Sequence, residues 1–341
     1  MNSQFSFKSL IEGIPKAELH LHVEGTFESE LRFAIAGRNC IGLEYGSVEE
    51  LRAFYNFKNL QDFLNIYYTG VEVLMRERDF YDLALAYLKK AHSQNVLHTE
   101  IFFDPQAHTS RGIDFGTVIT GIHKALSDAE EKLGISTGLI MCFLRDLDPA
   151  SAMETLEEAL PYKSWIVAVG LDSCEVGYPP SRFEAVFERA REEGLLAVAH
   201  AGEEGPAEYI WQAVDLLKVL RVDHGIRSLD DENLVQELVR RKIPLTVCPL
   251  SNLKLRVIES MENHPLQKMM EKGLLVTINS DDPAYFGGYI NENYLAVQEA
   301  FHLDREDIYN IAKNSFEASF LDTPKKEEMI AKLDEYMSRN S

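Results

Sequence analysis

The chain has 341 residues, 45% of them hydrophobic, and sets 34 Lys and Arg against 55 Asp and Glu, a formal charge of −21. Such acidity repels phosphate backbones and anionic bilayers, which argues against nucleic acid or membrane as partners and for a compact neutral ligand or a local cationic centre such as a metal. No stretch approaches the roughly 18 apolar residues of a membrane span. The start, Met1–Lys16, carries no cleavage-site pattern. Cys40, Cys142, Cys174 and Cys248 lie far apart and form no Cys-x-x-Cys pair; free thiols in a cytoplasmic protein are expected.

In chain order, one unit recurs: a short apolar, β-branched run that ends in polar residues, followed by a helical stretch. The runs are Ala17–His22, Leu97–Phe103, Gly138–Phe143, Ile166–Leu171, Leu195–His200, Val222–His224, Pro244–Cys248 and Leu274–Ser280. Helix-like segments such as Arg182–Glu193 and Asp231–Arg241 separate them, and Gly194 and Gly273 stand where a helix closes before the next run. Alternating strand and helix predicts parallel strands, and eight units predict a closed (β/α)8 barrel of the TIM type, an α/β fold spanning residues 1–341 as one domain. Residues 27–95 form a helical insertion after the first strand and residues 303–341 form C-terminal helices. The insertion carries Phe54, Tyr55, Phe57, Phe63, Tyr67 and Tyr68. It is placed to act as a lid over the C-terminal mouth, where barrel active sites form; the expectation for most of these aromatics is packing against the barrel.

The densest chemistry lies in Glu18-Leu-His-Leu-His-Val-Glu24. Side chains alternate along a strand, so His20 and His22 share one face while Leu19 and Leu21 face the helices. Two imidazoles on one face make half of a metal site, although the same pair alone is equally read as two satisfied histidines near a strand end. Further groups fall at strand ends: His200 on the fifth, His224 on the sixth, Asp281 and Asp282 on the eighth. Together they converge on one mouth. His92, His98, His123, His264 and His302 read as surface or packing residues. His108, shortly after the second strand, can face the pocket but is expected to have no catalytic role.

The segments Leu19-His-Leu-His-Val-Glu-Gly25, His200-Ala-Gly-Glu203, Asp223-His-Gly225 and Ser280-Asp-Asp-Pro283, in this order, resemble the adenosine/adenine deaminase family of the amidohydrolase superfamily. The likeness runs from Pro15 to near Phe320. It implies that His20, His22, His200 and Asp281 bind one Zn2+ per subunit and that Glu203 gives a proton to the purine ring. It also implies that His224 assists the attacking water and that Asp282 hydrogen-bonds the imidazole nitrogen of the base. Many amidohydrolase barrels hold two metals bridged by a modified lysine at the end of strand four. Here that strand reads Ile166-Val-Ala-Val-Gly-Leu-Asp-Ser-Cys-Glu175, without lysine, which points to one metal. Asp172, Ser173 and Glu175 fall near the pocket with no assigned role.

The resemblance also bears on the substrate. Nucleoside deaminases of the family usually carry Asp, which can reach a ribose hydroxyl, where this chain has Glu24. Glu is typical of the free-base enzymes, and its extra methylene would intrude on ribose space. The expected reaction is hydrolytic deamination of adenine to hypoxanthine and ammonia, in purine salvage and nitrogen catabolism. The alternative is another 6-aminopurine, an N6-alkyladenine or adenosine. The sequence leaves the oligomeric state open.

Overall fold

Runs whose residues are nearly all apolar or carry paired polar groups suit a sheet covered on both faces. In the computed structural model, which describes residues 6–340, they enter one. Its parallel strands are β1 (Lys16–Glu18), β2 (Val96–Phe103), β3 (Ser136–Leu144), β4 (Ala168–Asp172), β5 (Leu196–Ala201), β6 (Arg221–His224), β7 (Leu245–Val247) and β8 (Val276–Ile278). Their spatial order is their sequence order. The first and last strands close on each other: Leu21 bridges Asp281, the Asp281 amide donates to the His20 carbonyl at 3.1 Å, and the His22 amide donates to the Asp281 carbonyl at 3.1 Å. The expected (β/α)8 barrel is therefore present. Residues 1–5 of the amino-terminal stretch and Ser341 lie outside the described residues.

Several strands are shorter than expected: β7 and β8 keep only Leu245–Val247 and Val276–Ile278 of the runs Pro244–Cys248 and Leu274–Ser280, and β1 stops early beside the site. The regular ladder of β1 ends at Glu18 because the Leu19 amide donates to the Asn279 side chain (2.8 Å) instead of a carbonyl. The chain stays extended beyond it through isolated bridges from Leu21 to Asp281 and from His22 to Phe102. His20 and His22 thus keep their strand-like placement without a continuous ladder. Elsewhere helix ends follow local chemistry. Asp114 and Asp231 cap Phe115–Leu133 and Glu232–Arg241 by accepting first-turn amides. Gly194 and Gly273 adopt φ of 87° and 77°, the left-handed closure expected of them.

Leu19 and Leu21 lie fully buried in the layer between strands and helices. Inside the barrel, Phe102, Ile140, Cys142, Ala168 and Val198 form an apolar plug, and the Phe102 ring stands 5.1 Å and 5.0 Å from those of His20 and His22. Lys16, at the start of β1, is fully buried with Nζ donating to the Gln94 carbonyl at 2.8 Å. Burial lowers its pKa to about 7, against the nearby Glu18 charge.

Helices Ser29–Asn39, Val48–Ala53 and Leu60–Val71 stand between β1 and the helix Glu77–Ser93. Tyr55, Phe57, Phe63 and Tyr67 pack there with Leu255, Tyr285 and Phe286 in a cluster separate from the main core. Packing describes Tyr55 and Phe57; Phe54 is exposed, and Phe63, Tyr67 and Tyr68 line the pocket described below. Helices Arg305–Glu317 and Thr323–Arg339 complete the described chain. No helix among the described residues is long and apolar enough to cross a membrane.

Candidate active site

Strand ends deliver the polar groups to one point. His200 sits on β5 opposite Asp223, His224 ends β6, and Asp281 follows β8. His224 and Asp281 adopt φ of 63° and 62°, conformations costly for non-glycine residues and held here by the surrounding pairing. One donor atom from each of His20, His200, His224 and Asp281 lies within 4.8 Å of the others. His22 joins them: its Nε2 is 3.1 Å from His200 Nε2 and 3.5 Å from Asp281 Oδ1. His20 Nε2 is 3.2 Å from the same oxygen.

The hydrogen bonds behind the rings show what this cluster is built to hold. The Thr246 hydroxyl donates to Asp223 at 2.8 Å, so it accepts from His20 Nδ1 at 2.9 Å, which leaves the His20 Nε2 lone pair aimed inward. That Nε2 has no hydrogen-bond partner among the described residues. Burial, reinforced by neighbouring imidazoles, lowers His200 well below the usual range; burial opposed by Asp281 brings His22 to about 3. Neutral imidazoles whose nitrogens face each other at 3.1 Å beside a carboxylate are a donor set that fits one metal ion. His224 shares the four-donor group with His20, His200 and Asp281, while His22 closes on His200 and Asp281 and also groups with Asp282.

Glu203 lies beside this cluster, with Oε2 at 3.5 Å from His224 Nε2. Burial first, then the charges of Asp281 and Glu175, hold its pKa well above the ordinary carboxylate range. Two devices fix it. The Leu266 amide donates to His264 Nδ1, so His264 Nε2–H donates to Asn252 Oδ1 (3.1 Å), and the Asn252 amide nitrogen is left facing Glu203 Oε1 at 3.4 Å. The Glu175 carboxylate accepts the backbone amides of Gly202, Glu203, Glu204 and Gly205 at 2.6, 3.1, 2.9 and 2.7 Å. A Cβ on Gly205 would stand 2.5 Å from Glu175 Oε1, so only glycine admits this carboxylate. His264, expected to be a packing residue, thus orients the partner of the buried acid.

The pocket has about 390 Å³ of empty space and is lined on one side by His22, His200, Glu203, His224, Asp281 and Asp282. Leu60, Phe63, Leu64, Tyr67, Tyr68 and Leu255 cover it with apolar surface, and Asp104, Asp172 and Ser173 complete the wall. Asp282 packs on Gly25, where a Cβ would come within 2.7 Å of the Asp282 Cα. Glu24 does not line the pocket, which corrects the expectation that it intrudes there. Arg111 donates to His108 Nδ1 (3.0 Å), so His108 Nε2–H donates to Glu24 Oε1 (2.9 Å), and the Asp104 amide donates to the same oxygen at 3.3 Å. Sequence reasoning missed Asp104, Asn252 and the role of Glu175. The only signal for Asp104 was its place at the C-terminal end of a strand, a position it shares with His200, His224 and Asp281.

A parallel barrel whose C-terminal mouth gathers four imidazoles, a carboxylate and a buried acid, a group that could hold a metal, defines a hydrolase of the amidohydrolase type. The family model described as adenosine deaminase matches residues 15–336. An adenine deaminase of Hahella chejuensis is 57% identical over 333 residues, 98% of this chain and 100% of its own. The crystal structure of an adenine deaminase from Arthrobacter aurescens superposes with a TM-score of 0.94 at 48% identity, covering 96% of this chain and 100% of that one. An amidohydrolase from Burkhoderia ambifaria with bound Zn gives a TM-score of 0.90 at 26% identity, covering 100% and 96%. The chain belongs to the adenosine deaminase family and is a hydrolase.

Proposed function

We propose that the protein deaminates free adenine to hypoxanthine and ammonia, with zinc as its metal. The observation that carries the reading is the buried Glu203 set 3.5 Å from His224 at the edge of the imidazole–carboxylate cluster. Relatives described as adenine deaminases, 48% and 57% identical over nearly the whole chain, support adenine as substrate, and the zinc-bound amidohydrolase supports the metal. His20, His22, His200 and Asp281 would hold one Zn2+, leaving an open position. When bound, zinc supplies Lewis acidity that lowers the pKa of the reacting water toward neutrality.

The protein groups then divide the proton work. His224, kept neutral by burial at a pKa of about 3, accepts one proton from the attacking water. As the water oxygen bonds to C6, the C6–N1 π pair moves onto N1. Glu203, whose pKa is held by burial well above the ordinary carboxylate range, delivers its proton there. The proton on His224 passes to the amino group, the C6–N bond breaks and ammonia leaves. The remaining hydroxyl proton returns to Glu203, the carbonyl of hypoxanthine forms, and atoms and charges balance. Asp282, buried and raised in pKa by burial and by Asp281, hydrogen-bonds N7 and orients the base. The apolar cover of Leu60, Phe63 and Leu64 keeps bulk water from the reacting edge.

Four free thiols, Cys142 and Cys248 among them buried, support a reducing, cytoplasmic setting. The testing experiment combines metal analysis with an adenine assay. Purified protein should carry about one zinc per chain, release ammonia and hypoxanthine in equal amounts from adenine, and lose activity on chelation until zinc is restored. Two tightly held zinc ions per chain, or no ammonia from adenine, would contradict the reading.

A further inference from the structure

With Glu203 at N1 and Asp282 at N7, as proposed above, the opposite edge of the purine, N3 and N9, would lie away from C6 and the attacking water. On the free base that edge carries a ring N–H; on a nucleoside it carries the sugar. The polar groups of the pocket wall not committed to the reacting edge are Tyr67, Tyr68, Asp104, Asp172 and Ser173. Tyr68 and Ser173 satisfy each other through a 3.0 Å hydrogen bond. Asp172 Oδ2 stands 3.5 Å from His22 Nδ1, which draws it toward that ring. Asp104 and Asp172 are each 2% exposed and line the pocket, and Asp104 Oδ1, both Asp172 oxygens and the Tyr67 hydroxyl have no hydrogen-bond partner among the described residues; Asp104 differs from Asp172 in making no ion-pair contact with a ring. Its backbone is anchored from behind by the buried series Arg111, His108 and Glu24 described above. A buried acceptor without a partner is costly, and a fixed one aimed into a binding pocket is built for a donor that arrives with the ligand.

We propose that Asp104 selects the free base: its carboxyl accepts the hydrogen bond from the purine ring N–H that a nucleoside lacks, and with Asp172 it fills the space an N9 substituent would need. This rests on the adenine reading given above. It reassigns the discrimination expected of Glu24, which acts only from behind, through the Asp104 amide. Asp104, Asp172 and His22 also place one donor atom each within 4.8 Å of the others, an arrangement that would suit a cation. A second cation there is therefore an outcome the test must distinguish.

The test compares adenine with 9-methyladenine, which keeps the reacting edge and loses the ring N–H. Wild type should favour adenine by roughly 100-fold or more in kcat/KM, since a site built for a donor can reject the analogue without it by up to about 10⁴–10⁵. Asp104→Ala should lower adenine kcat/KM by about ten- to a hundredfold and spare 9-methyladenine, so the ratio falls toward one. Asp104→Asn, which keeps a carbonyl acceptor, should recover part of the adenine rate. Calorimetry with the products gives a readout free of turnover: hypoxanthine should bind more tightly than 9-methylhypoxanthine to wild type, and about equally to Asp104→Ala. If the alanine variant does not fold, the wild-type ratio and the wild-type binding pair still decide. Equal wild-type rates on the two substrates, or a fall common to both in Asp104→Ala, overturns the proposal while leaving adenine deamination standing. So does a second tightly bound zinc that disappears with Asp104. A wild type inactive on adenine overturns both.

Discussion

The Glu175 carboxylate accepts the backbone amide of Glu203 at 3.1 Å, and it does the same for the three neighbouring amides of that loop. A group that touches no substrate thereby sets where the buried acid sits. Glu175→Gln retains size and one acceptor oxygen but turns a donor toward amides that need acceptors. Stability should fall by about 1–3 kcal/mol. Displacement of the loop should lower kcat by about ten- to a hundredfold, with the KM for adenine within a few-fold and zinc content unchanged. Steady-state kinetics beside a denaturation curve would check this; a drop in stability with unchanged kcat would make Glu175 structural only.

Glu203→Gln removes the transferable proton while keeping shape and the contact with Asn252 at 3.4 Å. Proton transfer is needed only along the reaction, so kcat should fall by roughly 10²–10⁴-fold. Hypoxanthine binding and zinc content should persist. Near-normal kcat in this variant would remove Glu203 from the chemistry.

His22 and His224 crowd the same centre, and their roles differ in the proposal. His22→Ala should lose zinc, because its Nε2 faces His200 and Asp281 at 3.1 and 3.5 Å. His224→Ala should keep zinc and lose kcat by roughly 10²-fold or more. Metal analysis of the two purified variants separates the assignments: zinc lost from His224→Ala and retained in His22→Ala would exchange them.

What was legible in the sequence, and what was not, follows from the range of each interaction. The barrel could be read because each strand is a local apolar run and parallel pairing follows from the helices between. His20, His22, His200, His224, Asp281 and Asp282 could be read because strand ends of such a barrel meet at one mouth. The exit from β1 was not legible, because Leu19 is turned aside by Asn279, 260 residues away. Glu24 was misplaced for the same reason. Its direction is set by His108, 84 residues on. Asn252 and His264 form a functional pair only through their contact with Glu203, and no local pattern marks either.

Lys16 offers a pH test remote from the pocket. Its folded pKa of about 7 lies below the ordinary 10.5. Between those values the unfolded chain binds the extra proton, so this group makes stability rise with pH across that window; below about 7 its penalty is fully present. Lys16→Met should therefore be more favourable relative to wild type at pH 7 than at pH 10, with the difference shrinking as pH rises. Chemical denaturation at several pH values measures it, and a difference independent of pH would show that Lys16 is not held in a charge-disfavouring site.

The central claim, a deaminase of the free base, is tested most directly by the ratio of kcat/KM for adenine to that for adenosine on the zinc-loaded wild type, each followed by ammonia release. A pocket closed at the N9 edge by Asp104 and Asp172 predicts a ratio of roughly 10² or more in favour of adenine. A ratio at or below one would contradict it.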